Sequence, residues 1–126
     1  MTKVPKVFYW LPTLFWMVVI FGFSAQPSLH ASSVGWLDFI IKKSAHITEY
    51  FILGLLLYFS LKNTTNLSTG KSLILIIIIG LVYASSDEFH QTFVSGREGR
   101  IRDVLIDSLG LLASAKFLTF FSRKAR

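Results

Sequence analysis

Four apolar stretches dominate this chain, roughly Val7 to Phe23, Ile40 to Leu61, Ser72 to Phe93 and Asp103 to Phe121. Each is close to the ~20 residues a helix needs to cross the hydrocarbon of a bilayer. The third carries the β-branched run Ile76-Ile77-Ile78-Ile79, which in water would read as a buried strand. In lipid, an open strand leaves its N–H and C=O groups without partners, so length and setting together predict helix. With 126 residues, 52% of them hydrophobic and 16% charged, the chain is too apolar for a small soluble domain and too short for several domains. The expectation is an all-α, polytopic bundle of four transmembrane helices forming one domain over residues 1–126. The absence of cysteine excludes disulfides, thiolate metal sites and cysteine catalysis. The net charge of +6 comes from lysines and arginines mostly in termini and loops. That placement suits anionic headgroups and topology control, so membrane lipids are the expected partners and nucleic acid is not.

The first segment contains Pro12, expected to bend it, and Tyr9, Trp10 and Trp16, expected as interfacial anchors. Lys3 and Lys6 ahead of an apolar stretch, with Phe23-Ser24-Ala25 behind it, also suggest a cleaved secretory signal. The stretch is long for a signal core, so it is read as a retained helix. An even number of helices puts both termini on one side. A cytoplasmic N-terminus places Lys3, Lys6, Lys62, Lys71, Arg123, Lys124 and Arg126 inside, with Lys116 near the same face. It leaves Lys42, Lys43, Arg97, Arg100 and Arg102 outside, a small bias in the direction of the positive-inside rule. Every acid in the chain then lies in the outer half.

Those acids are the chemically informative residues. Asp87 and Glu88 stand near the end of the third apolar segment, Asp103 and Asp107 open the fourth, and Lys43, His46, Glu49 and Tyr50 stand in the outer part of the second. A carboxylate in such a segment costs several kcal/mol unless it is paired or faces a polar cavity. Helical spacing sorts them into stripes. Lys43, His46, Tyr50 and Gly54 share one face; Gly80, Ala84, Asp87 and Gln91 share another; Asp103, Asp107, Gly110 and Ser114 share a third. Each stripe is polar outside and small within, and small residues allow close helix approach. The stripes are therefore expected to face one another around an outward-facing charged pocket, with Glu88 on a flank and Glu49 and His90 further off.

The same residues carry a resemblance. Phe23-Ser24-Ala25-Gln26-Pro27, Lys43-Ser44-Ala45-His46 with Glu49-Tyr50 and Gly54, Ser86-Asp87-Glu88-Phe89-His90-Gln91, Gly96-Arg97, and Asp103 to Asp107 with Gly110 occur in order and at the spacing of VanZ-like membrane proteins. The similarity spans about residues 23–110. It implies a multi-pass protein of the bacterial cell envelope, and it brings the association of the founding members with tolerance to the glycopeptide teicoplanin. It specifies neither reaction nor cofactor.

The residues support three function classes. As an enzyme, the pocket would take a phosphorylated lipid or an envelope glycan precursor. Its candidate catalytic residues are His46, Asp87, Glu88, Asp103 and Asp107, and its candidate substrate-binding residues are Lys43, Glu49, Tyr50, Gln91 and Arg97. As a binding protein, the basic outer rim would engage an envelope lipid or a glycopeptide. As a metal site, His46, His90 and the four aspartates and glutamates of the third and fourth segments offer ligands, but Lys43 and Arg97 nearby would repel a cation. The enzyme or lipid-site class ranks first, binding second and metal third. Transport is disfavoured in a four-helix chain unless it oligomerises. Each residue also has an architectural reading. Asp87 would pair with Lys43 or Arg97, His46 would be a packing residue, Asp103 would cap its helix, and Tyr50 and Gln91 would satisfy neighbours. Glu98, Arg100 and Arg102 read as a solvated loop, and His30 and Asp38 fall in the first loop without a pattern.

Overall fold

The computed structural model describes residues 3–27 and 30–125. A short 3₁₀ helix, Lys6–Trp10, leads into α1 (Leu11–Ser24), followed by α2 (Gly35–Thr64), α3 (Thr69–Gln91) and α4 (Ile101–Lys124). No strand occurs among the described residues. All four helices, the first counted with its 3₁₀ lead-in, are long and apolar enough to cross a membrane. This is the architecture of a multi-pass membrane protein.

Three departures from the sequence reading have a local reason. Pro12 does not bend a helix in mid-course. It sits in the first turn of α1, where its missing N–H would have had no partner anyway. Helix α2 begins at Gly35 rather than Ile40, because Asp38 organises its first turn. The Asp38 carboxylate accepts from the backbone amides of Ala31 (2.5 Å) and Ser32 (3.3 Å) and pairs with Lys42 one turn on at 2.9 Å. An anion there also complements the positive end of the helix. Asp38, unpatterned in sequence, is thus an anchor for the start of α2. Helix α3 stops at Gln91, two residues short of Phe93. The amides of Thr92, Phe93 and Val94 turn back onto the carbonyls of Phe89, His90 and Gln91, and Gly96 at φ 74° carries the chain away in a conformation that favours glycine.

Helices α2 and α4 run parallel in a nearly constant register. Lys43 meets Asp103 and His46 meets Asp107, separations of 60 and 61 residues. One turn further, Gly110 lies against the backbone of α2, where an added Cβ would meet the Ile47 carbonyl and stand 2.9 Å from the Phe51 nitrogen. Gly54 then faces Ser114, and Phe51 stacks edge-on against Phe117 at 5.8 Å. Small residues permit this approach, as expected for helices in lipid. Helix α3 lies antiparallel to this pair, with Gly80 against Leu111 and Tyr83 beside Tyr50 at 6.3 Å. The core between them is Tyr50, Leu53, Leu57, Leu61, Ile76, Ala84 and Leu111, with Ile20 from α1. Phe15, Phe93 and Ile101 are among many large apolar side chains left on the outside, as a lipid-facing surface requires.

Helix α1 runs antiparallel to α2 and is attached mainly by side chains reaching carbonyls. Thr13 Oγ1 donates to Leu56 O at 3.0 Å, Trp16 Nε1 to Glu49 O at 2.9 Å, and Tyr83 Oη, from α3, to Met17 O at 2.5 Å. Ser60 Oγ, beside Thr13 at 2.7 Å, donates to Tyr9 O. Up-down connectivity places the C-terminal ends of α1 and α3 and the N-terminal ends of α2 and α4 at one end of the bundle.

Candidate functional site: a buried acidic cluster

That end gathers most of the residues singled out in sequence, but as a closed cluster rather than an open cleft. Asp107 is fully buried, and Asp87 and Glu88 are 2% and 4% exposed. The parallel register of α2 and α4 produces two rungs. The outer one is Lys43 Nζ on Asp103 Oδ1 at 2.5 Å, both side chains partly exposed. The inner one is His46 Nδ1 and Asp107 Oδ1 at 3.1 Å. In a neutral ring the aspartate makes Nδ1 the protonated nitrogen and leaves the lone pair on Nε2. This gives Asp107, too deep in α4 to serve as a cap, a role: it orients His46. Asp103 stands in the first turn of α4 but makes no capping bond, its carboxylate being turned to Lys43.

The expected pairing of Asp87 with Lys43 or Arg97 does not occur. Asp87 Oδ2 instead accepts from Ser24 Oγ at 2.6 Å and from Gln91 Nε2 at 3.3 Å, and Gln91 also reaches Ser24. Arg97 is turned away, its Nε on Gln26 O and its Nη2 on Phe23 O, where it satisfies carbonyls at the C-terminal end of α1. Ser24 is therefore part of the site; in the sequence it stands within the Phe23-to-Pro27 motif of the resemblance, with no chemical role read for it. Glu88 Oε2 accepts from the Arg100 amide at 3.2 Å, and Gly99 packs on the Glu88 carbonyl so closely that no Cβ would fit. The loop from α3 to α4 is thus folded onto Glu88 through backbone.

Several polar atoms at this end have no hydrogen-bond partner among the described residues: Tyr50 Oη, Asp87 Oδ1, Glu88 Oε1 and Asp107 Oδ2. None of the three buried carboxylates has a lysine or arginine ion pair among the described residues; His46 is their one basic contact. His90 stays apart, its ring 4.5 Å from that of Phe21. Glu49 is half-buried on α2, and its carbonyl holds Trp16.

Glu88 also has an outer side. It lines a groove of about 300 Å³ between α3 and α4, whose wall includes Phe89, Ile101 and Val104 together with Thr92 and Arg100. The basic rim around this end includes Lys42, Lys43, Arg97, Arg100 and Arg102; Lys42 pairs with Asp38, Arg100 contacts Glu98, and the Arg102 guanidinium lies over the Phe39 ring.

The fold and this cluster define a class: small four-helix membrane proteins with buried acids, a histidine and basic residues at one end of the bundle. The VanZ/LLP1 family model matches residues 8–122, nearly the whole chain. The chain belongs to that family. No curated protein and no solved structure matches it.

Proposed function

We propose that the protein binds the phosphorylated headgroup of a membrane lipid or lipid-linked envelope precursor at its basic rim and hydrolyses or transfers that group through His46 and Glu88. The observation that carries this reading is the double placement of Glu88. It belongs to the buried cluster, and it lines a groove whose wall combines the apolar Phe89, Ile101 and Val104 with Arg100. An amphiphile with an anionic head fits such a groove, with its chain along Phe89, Ile101 and Val104 and its phosphate near Arg100. His46, oriented by Asp107, takes the proton of the attacking hydroxyl or water. Glu88, when protonated, gives one to the leaving oxygen. Asp103 keeps Lys43 at the rim, where it adds positive charge for the phosphate. Asp87, Gln91 and Tyr50 belong to the architecture, holding α1 and α3 in place around the reacting groups.

The family's association with teicoplanin tolerance extends to this chain as part of the same proposal, with the site end of the bundle facing outward in a bacterial membrane. Native mass spectrometry of the protein released from a mild detergent tests it. A co-purifying phosphorylated isoprenoid, retained in Glu88→Gln and lost in Arg100→Gln, is the expected result. An ordinary phospholipid bound equally by wild type and Arg100→Gln would favour the alternative of a non-enzymatic binding protein, for which the closed packing of the acids is the supporting feature.

A further inference from the structure

We infer that His46, Glu88 and Asp107 form a site for one divalent cation of the kind that takes mixed nitrogen and oxygen ligands, such as Mn²⁺ or Zn²⁺. One ligand atom from each of the three side chains lies within 4.8 Å of the other two. His46 Nδ1 and Asp107 Oδ1, 3.1 Å apart, already stand at the spacing of two donors on one ion, roughly 3.0–3.4 Å for bonds of ~2.1 Å. The third ligand has only to close a short distance.

A second observation is independent of that proximity. Glu88, 4% exposed, and Asp107, fully buried, each keep one oxygen with no partner among the described residues. A buried carboxylate oxygen left in this way is costly, and an ion is one of the few things that satisfies it. The neighbouring Asp87 Oδ1 is in the same condition. Asp87, Glu88 and Asp107 have one imidazole between them, bonded to Asp107, and a divalent ion would supply positive charge that no lysine or arginine among the described residues brings to them.

The objection raised by Lys43 and Arg97 also loses force. Lys43 is neutralised by Asp103, and Arg97 is spent on the carbonyls of Phe23 and Gln26. Three protein ligands leave open positions on the ion, and Glu88 already opens toward the groove between α3 and α4. The ion takes the place of the proton shared by His46 and Asp107, so the ion-bound state is an alternative to the proton transfer proposed for His46 and Glu88 and not a step of it. It requires no lipid.

The test is Mn²⁺ binding to the detergent-purified full chain after chelator treatment, read by loss of the free-ion paramagnetic resonance signal. One ion per chain is expected, displaced by Zn²⁺ and accompanied by a rise in melting temperature. His46→Gln and Glu88→Gln should each weaken binding by about tenfold or more, whereas Glu98→Gln, on the exposed loop, should bind as wild type does. Asp107→Asn is the variant most exposed to misfolding, so His46→Gln and Glu88→Gln decide the outcome, each checked by its own melting curve. An unchanged Mn²⁺ signal with wild type, or binding that survives in both His46→Gln and Glu88→Gln, would overturn the site. Native mass spectra of the chelated protein report lipid retention separately, so loss of the ion site and loss of the lipid reading give different results.

Discussion

Asp87 and Glu88 are adjacent in sequence and differ in what they hold. Asp87 accepts from Ser24 and Gln91 and so ties α3 to α1, whereas Glu88 accepts only a backbone amide and keeps one oxygen free. Replacing Asp87 with alanine strands the buried Ser24 hydroxyl and takes one of two acceptors from Gln91 Nε2, at a cost of about 1–3 kcal/mol, and should lower both folded yield and melting temperature in detergent. Glu88→Gln retains an acceptor for the Arg100 amide and should melt near wild type while abolishing any glycopeptide tolerance or other envelope phenotype the protein confers. A full phenotype in both Glu88→Gln and His46→Gln would remove the proton-transfer pair from the proposed mechanism. The outer rung makes a second residue-scale prediction. Lys43→Met and Asp103→Asn should be strongly non-additive in a melting cycle, because either alone leaves a partly buried charge unpaired. Lys43→Met with Asp87→Asn should be additive, since these two do not touch.

Among the elements, the close pairing of α2 with α4 decides which residues meet. Helical periodicity showed that Lys43, His46, Tyr50 and Gly54 share a face and that Asp103, Asp107, Gly110 and Ser114 share another, and the structure brings these faces together. What periodicity does not contain is register. A stripe can slide by a turn against its partner without changing its own pattern, so the choice of Asp103 over Asp107 as the partner of Lys43 was not legible. It depends on Gly110 sitting on the backbone between Ile47 and Phe51. The early start of α2 was hidden for a related reason, because Asp38 is held by amides of a loop whose path no local pattern dictates. The third prediction follows from the Gly110 contact. Its obstruction is backbone, which cannot rotate aside, so Gly110→Ala should force α2 and α4 apart and cost roughly 1–3 kcal/mol. The outer and inner rungs should loosen with it, and Mn²⁺ binding should weaken in Gly110→Ala although no ligand has changed.

At the scale of the whole molecule, the four spans were legible because lipid imposes length and helicity together, and the site end followed from up-down connectivity. The side of the membrane it faces is a proposal resting on the charge bias. Single cysteines at Ser32, at the site end, and Ser68, at the opposite end, should separate the two orientations under an impermeant maleimide in intact cells. Labelling at Ser32 alone is expected, and labelling at Ser68 alone would place the acidic cluster on the cytoplasmic face. The way α1 joins the bundle has a different consequence, one for how sequences of this fold drift apart. Thr13 and Trp16 bond to the carbonyls of Leu56 and Glu49, and Tyr83 to that of Met17. Every residue type offers that acceptor. Across an alignment of relatives, positions 56 and 17 should vary without reference to the donors that grip them, while positions 43 with 103 and 46 with 107 should be kept or change together. Residue covariation would therefore recover the packing of α2 on α4 and nearly miss α1, although the first helix supplies Ser24 to the acidic cluster.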